Sequence, residues 1–368
     1  MTEETQDLYR NLQIHLDQFP IGFPATKSGV ELRILKLLFN EEEAFVGTKL
    51  NWTYATLEQI YKRINKNKMS IAELEKTLDS MVKKGTLNFK TENETKFYAN
   101  IPLIVGIFEY QVNKLIKNFI EDFSEYLTTV FGAELLGTKI SQFRTIPIEE
   151  SITLENHVAN YDELKIVIEN SVEPIGVANC VCRQSKDLIG EPCKQTDMRE
   201  SCLYFGTVGQ LFLSQGWARP INKKEALEIL RKAEDNGLVM QAGNTEQPEF
   251  MCACCRCCCE ILTKMNLIPR PSRIISSNFY AEVNPDLCTG CGTCIERCPI
   301  NAFKVTDGIS KVILKRCIGC GVCVPTCPEE AIQLKKKDTE AIPPKTKEDL
   351  YAMIMNKKQE LRKKNKRK

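Results

Sequence analysis

The chain has 368 residues, 43% of them hydrophobic, and a formal net charge of +2, enough for two or three domains with cores of their own. Its 18 cysteines stand against two histidines, His15 and His157, so thiolate chemistry is expected and a histidine general base or Ser/His/Asp arrangement is not. The start MTEETQDLYR does not read as a signal peptide, IPLIVGIF (101–108) is too short to cross a bilayer, and no G-x-G-x-x-G or G-x4-G-K-[ST] phosphate loop occurs.

Residues 1–100 predict three helices and a hairpin. VELRILKLLF (30–39) places Leu32, Leu35 and Leu38 at three-residue gaps beside Ile34, and TLEQIYKRI (56–64) gives a second helix. In the third, Ser70 and Glu73 form an S-x-x-E capping box. Ile71, Leu74, Leu78, Met81 and Val82 line one face, and Gly85 is placed to end it. TLNFK and KFYAN alternate around TENET as a hairpin. This is the pattern of a winged-helix-like domain. DNA reading is not expected, because residues 1–100 carry 14 Lys/Arg and 14 Asp/Glu, whereas phosphate binding asks for a basic face. Lys62, Arg63, Lys66 and Lys68 form the one local basic cluster, and a protein-interaction or scaffold role is the expectation.

Over 101–145 a long connecting helix is predicted. Ile107, Phe108, Val112, Leu115, Ile116, Phe119, Ile120, Phe123, Leu127 and Val130 follow helical spacing across 103–131, with Gly132 as its stop. Intramolecular packing is the plain reading of this face; a homodimer contact is the alternative.

Residues 146–270 predict a cysteine-rich α+β domain. YDELKIVIENS (161–171) reads as a helix, IGVANC (175–180) as a buried strand, and NKKEALEILRKAEDNG (222–237) as a helix capped by Asn222 and ended by Gly237, followed by a strand LVMQA (238–242). Cys180 and Cys182, two apart at the strand's end, would face one side. Gly190, Pro192 and the polar KQTD put Cys193 on a loop, and Cys202 opens a helix or turn. Then CACCRCCCE (252–260) sets six cysteines in eight positions. Cys252, Cys255 and Cys258 keep C-x2-C-x2-C gaps, Cys254 and Cys257 form a second register, and Cys259 is left over. Such gaps are ligand spacing, and adjacent cysteines make strained disulfides. Metal-bound thiolates in a reducing, cytoplasmic setting are therefore expected. The ten thiols predict at least one further Fe–S site; structural zinc, a thiol–disulfide relay and buried inert cysteines remain alternatives. Arg183 and Arg256 are either charge partners of a cluster or surface residues. His157 reads as a surface residue, and IPRPSRIISSN (268–278) as a linker.

Within 279–334 the sequence reads CTGCGTCIERCP, then CIGCGVCVPTCP. Both are C-x2-C-x2-C-x3-C-P, offset by 29 residues, an internal duplication. Three cysteines at two-residue gaps on a tight glycine loop reach three irons of one cubane, and the fourth, before proline, faces the other cluster. Cys288, Cys291, Cys294 and Cys327 are thus expected to hold one [4Fe–4S] cluster, and Cys317, Cys320, Cys323 and Cys298 a second. On these motifs residues 279–334 resemble a bacterial two-cluster ferredoxin, which implies one-electron transfer between neighbouring cubanes. Zinc and a merely structural role are the alternatives. The layout of the whole chain, a CxCR element and a cysteine-packed run before this module, resembles that of uncharacterised iron–sulfur proteins of anaerobic bacteria and archaea.

The tail 335–368 holds 13 Lys/Arg against 5 Asp/Glu and reads as a linker, a short helix and a basic end. It is a solvated tail or one that docks an acidic partner, an anionic membrane or nucleic acid. The expectation is a multidomain α+β iron–sulfur electron carrier serving a redox partner protein. The alternatives are a small reductase acting at the central cysteines and a redox-sensing DNA-binding regulator.

Overall fold

The computed structural model describes residues 3–65, 67–152 and 159–366; Lys66 and His157 lie outside the described residues. The chain forms two compact units, 1–137 with 210–217, and 138–209 with 218–368.

In the first unit, helices Glu3–Leu16, Val30–Leu38, Glu41–Gly47, Leu57–Tyr61 and Ile71–Lys84 precede the hairpin Leu87–Glu92/Thr95–Asn100. Ala55–Thr56 adds a short third strand to that hairpin. The Ser70 side chain accepts from the Glu73 N–H while Glu73 returns to the Ser70 N–H, and Gly85 closes the helix at φ 79°. Leu74, Leu78, Met81 and Val82 are buried; Ile71, expected on that face, is exposed. The helix Glu41–Gly47 stands outside the sequence expectation although Asn40 and Glu43 give it a capping box of its own.

The continuous helix expected over 103–131 is not formed. Ile104 is extended, Val105 has φ 51° and Ile116 is extended at φ −121°. Lys117–Tyr126 is the regular helix of this stretch, and Gly132 is helical and opens a further turn, Gly132–Gly137, instead of stopping one. The reason is burial. Leu103, Ile104, Ile107, Phe108, Tyr110 and Val112 are all buried, more than one helical face can hide, so packing overrides the periodicity. Within this unit Tyr110 stacks edge-on with Phe212, and Lys114 lies over the Trp217 ring at 4.3 Å.

The second unit is built on a seven-stranded sheet. The strand order is Ile275–Ser276, Phe143–Ile146, Val239–Gly243, Phe250–Cys254, Glu200–Phe205, Ile175–Asn179 and Arg219–Ile221. The first pair is parallel and the rest are antiparallel. One of its strands therefore comes from the stretch expected as a linker, whose Ile275–Ser276 pairs with Phe143–Arg144. Strand alternation divides the side chains. Ile175, Val177, Leu203, Phe205, Met240, Ala242, Met251 and Ala253 join a core with helices Leu164–Glu169 and Lys223–Asp235. Cys202 and Cys252, paired directly across neighbouring strands, and Cys254, two residues on, point to the opposite face.

The same unit includes the duplicated segment, with hairpin Phe303–Thr306/Ile309–Val312 and strands Phe279–Val283 and Ile332–Lys336 paired antiparallel. It also includes the helix Lys347–Lys366, longer than the short helix expected. Leu350, Tyr351 and Ile354 of that helix are buried, and Lys347 pairs with Glu249 at 2.7 Å. The Glu246 and Gln247 amides donate to the Pro344 and Lys345 carbonyls. Up to Ile354, then, the tail packs on the central sheet unit and is not a free linker.

Two outcomes follow. Gly85→Ala forces a Cβ to within 2.7 Å of the Tyr110 carbonyl at a left-handed φ. It should destabilise the first unit by ~1–2 kcal/mol, seen as faster amide exchange over 71–100. Burial raises the Glu234 carboxyl from its ordinary 4.5 to about 7. A raised acid binds more protons folded than unfolded between those values, so it costs stability as pH rises through that window. The Tm gain of Glu234→Gln should therefore be larger at pH 8 than at pH 5; an equal gain at both would contradict it.

Candidate metal centres

The duplicated segment folds into two equivalent pockets. Cys288, Cys291, Cys294 and Cys327 line one cavity; Cys317, Cys320, Cys323 and Cys298 line another. Gly290 (φ 71°) and Gly319 (φ 64°) make the tight turns between cysteines. A side chain at either would collide with backbone, the Gly308 carbonyl for Gly290 and the Phe279 carbonyl for Gly319.

Backbone amides are aimed at sulfur in matched pairs. Ser310 N–H donates to Cys288 Sγ at 3.3 Å and Ala281 N–H to Cys317 Sγ at 3.4 Å. Ala302 N–H donates to Cys298 Sγ at 3.2 Å and Ala331 N–H to Cys327 Sγ at 3.3 Å. Within each pair the residues differ by the 29-residue repeat, so the two pockets share one donor set. Such donors stabilise thiolate. Burial, followed by the neighbouring thiols, pushes the Cys298, Cys320 and Cys323 thiols up, so a bound cation is what would deprotonate them. Four thiols around a cavity with N–H donors fit a [4Fe–4S] cluster in each pocket.

The ten central cysteines do not sort by their sequence registers. Cys180 directly follows the strand Ile175–Asn179 and is the N-cap of helix Val181–Leu188; Cys182 lies in that helix and not on the strand. Cys202 is in the strand Glu200–Phe205, not at a helix or turn start. In the cysteine run, Cys252 and Cys254 end a strand, and Cys259 caps the helix Glu260–Met265.

Four of the ten, Cys193, Cys255, Cys257 and Cys258, have all their sulfurs within 4.8 Å of one another. Cys193 Sγ is 3.7 Å from Cys255 Sγ and 3.5 Å from Cys257 Sγ, and Cys257 and Cys258 are 3.6 Å apart. A tetrahedral ion with ~2.3 Å metal–sulfur bonds separates its ligands by ~3.8 Å, which these three close pairs fit. The set could hold an additional Fe–S site, with zinc as the alternative. Cys255 and Cys258 belong to the helix-covered core, and Cys193 and Cys257 pack against it. Against the upward push of its burial, the Cys193 thiol is brought down to about 7 by the Gln195 and Thr196 amides and by Cys257 and Cys255.

Arg183 is the residue whose setting sequence left open, and it is fully buried, at 0% exposure. It donates to Ser201 Oγ at 2.5 Å and to the Ala253 carbonyl at 3.0 Å. Its burial works against its charge, and the thiols of Cys180, Cys255, Cys202 and Cys254 hold that charge in place. Arg256 is exposed and donates to the Glu296 carbonyl, on the helix Thr293–Arg297 between Cys291 and Cys298. The Ile148 N–H likewise donates to the Cys320 carbonyl at 3.2 Å.

Residues 281–328 match the family of 4Fe-4S dicluster domains. Over 35 residues, 9% of this chain, the sequence is 51% identical to a probable ferredoxin of Methanosarcina thermophila. The chain spans about 60% of the length of that relative. No described helix is long and apolar enough to cross a membrane. With the motif, the paired amides and the domain match together, residues 281–328 make this a 4Fe-4S ferredoxin-domain protein.

Proposed function

We propose that the protein is an iron–sulfur electron carrier with two [4Fe–4S] clusters in its ferredoxin module and a further Fe–S site in the central domain, serving a redox partner protein in the cytoplasm. Cys288, Cys291, Cys294 and Cys327 would hold one cluster, and Cys317, Cys320, Cys323 and Cys298 the other. The observation that carries this reading is the crossed lining of the two cavities, each taking three cysteines from one repeat and the fourth from the other. Bound clusters supply one-electron transfer. The chain's own residues then fix the ligands, donate N–H bonds to sulfur and shield the second pocket, where Cys298, Cys317, Cys320 and Cys323 are all buried.

The route inward is through the cysteine run. Arg256 sits between Cys255 and Cys257 and reaches the ferredoxin helix, so the central thiols and the Cys298 pocket are tied by one side chain. Electrons would pass from the module to the central site or back; the M. thermophila relative, a probable ferredoxin, supports the carrier role.

For the N-terminal unit we favour a winged-helix-like domain that contacts protein rather than DNA. On and beside the helix Ile71–Lys84, Lys84 pairs with Glu43 at 2.7 Å, and Lys96 with Glu75 at 3.1 Å and Asp79 at 2.8 Å, so two of the cations there are offset by carboxylates.

Two measurements test this reading. Anaerobically purified protein should carry about eight irons in the ferredoxin module, and Cys327→Ser should perturb the cluster of Cys288, Cys291 and Cys294 while the other keeps its EPR signal. Perturbation of the Cys317 cluster instead would refute the crossed assignment. Arg256→Ala should slow electron transfer between module and central site about tenfold, the scale of a charged hydrogen bond of ~1.5 kcal/mol, with the module's iron content unchanged. An unchanged rate would remove the inward route.

A further inference from the structure

The six central cysteines outside the four-thiol set are not scattered. Cys180 interacts with Cys182 and Cys202, Cys182 also with Cys259, and Cys259 also with Cys254. Cys254 interacts in turn with Cys252, and Cys252 with Cys202, which closes a ring. Its thiols come from two strands and from the starts of two helices. Strand alternation sets it apart from the four-thiol set. Cys202, Cys252 and Cys254 lie on the sheet face opposite Met251, Ala253 and Leu203, whereas Cys255 and Cys258 join the core on the Met251 side.

We propose that Cys180, Cys182, Cys202, Cys252, Cys254 and Cys259 form a second central site, separate from the four-thiol set, that binds a polynuclear cluster of a thiophilic metal, with iron and inorganic sulfide as its expected constituents. This deepens the reading above and rests on its premise that the central thiols are metal ligands. One tetrahedral ion uses four thiolates, so six converging ones call for more than one metal.

Buried donors around the ring await acceptors. Across the sheet, Thr145 pairs with Gln241, Gln241 with Cys252, and Cys252 with Cys202, so the four share one row and one face. Gln241 is 3% exposed, its Oε1 lies 3.8 Å from Cys254 Sγ, and its Nε2 has no hydrogen-bond partner. Thr145 Oγ1 and Arg183 Nε are buried and unpartnered as well. Orphaned donors at this depth are costly unless they meet an acceptor, and cluster sulfide and thiolate are acceptors. The Arg183 charge supplies part of the compensation that an anionic cluster needs.

The test is metal and sulfide analysis with Mössbauer spectroscopy on the full chain, purified anaerobically. Three forms are compared: wild type, the ring variant Cys202→Ser/Cys252→Ser, and the set variant Cys193→Ser/Cys257→Ser. The ring variant should lose at least two metal atoms while keeping the metal of the four-thiol set; the set variant should lose only the latter. Iron lost together with sulfide identifies an iron–sulfur cluster, and zinc lost without sulfide a zinc–thiolate cluster; either supports the site. Loss of the same metal atoms from both variants, or none from the ring variant, overturns it. The ferredoxin clusters, counted by their own EPR signals, report folding and test the earlier reading independently. Should the ring variant be insoluble, Gln241→Leu removes a donor and no ligand. It should change the spectrum of the ring's metal alone; an unchanged spectrum counts against the proposal.

Discussion

A guanidinium without solvent exposure dictates much of the central domain. Arg183 has two neutral acceptors, a serine hydroxyl and a backbone carbonyl, and its charged surroundings are thiols. Leaving such a cation uncompensated in a protein interior costs several kcal/mol. The fold is therefore consistent with ionised sulfur on both sides of this residue, and metal ions are what keep closely packed thiols ionised.

The sheet organises what surrounds that charge. One face carries the helices and an aliphatic core into which Cys255 and Cys258 are set; the other presents Cys202, Cys252 and Cys254. Arg183 neighbours thiols of both groups, Cys255 of one and Cys180, Cys202 and Cys254 of the other. The arginine inside the cysteine run, Arg256, donates instead to the Glu296 carbonyl of the ferredoxin helix. The two arginines thus have opposite tasks, one compensating charge within the domain and one fastening the domain to the ferredoxin helix within the same unit.

The ferredoxin module obeys a simpler constraint. Its duplication supplies each pocket with the same glycine turns and the same two N–H···S donors, and the exchange of the fourth cysteine ties the two halves into one body. A cluster held by these cysteines would bridge both repeats, since each pocket takes its fourth cysteine from the other repeat.

The sequence by itself determined whatever depends on neighbours a few residues apart. The duplicated cysteine motif, the Ser70–Glu73 capping box with its Gly85 stop, and the Asn222-capped helix all rest on local geometry, which tertiary packing left in place. Only the tertiary structure decided how ten central thiols divide into four and six. Adjacency along the chain carries no face assignment once the strand ends at Cys254 and the chain turns, so Cys254 and Cys255 part company although they are covalent neighbours. It also decided the fate of 103–131 and of Arg183. In both cases burial on all sides, a property of the whole fold, outweighed what spacing and charge along the sequence imply.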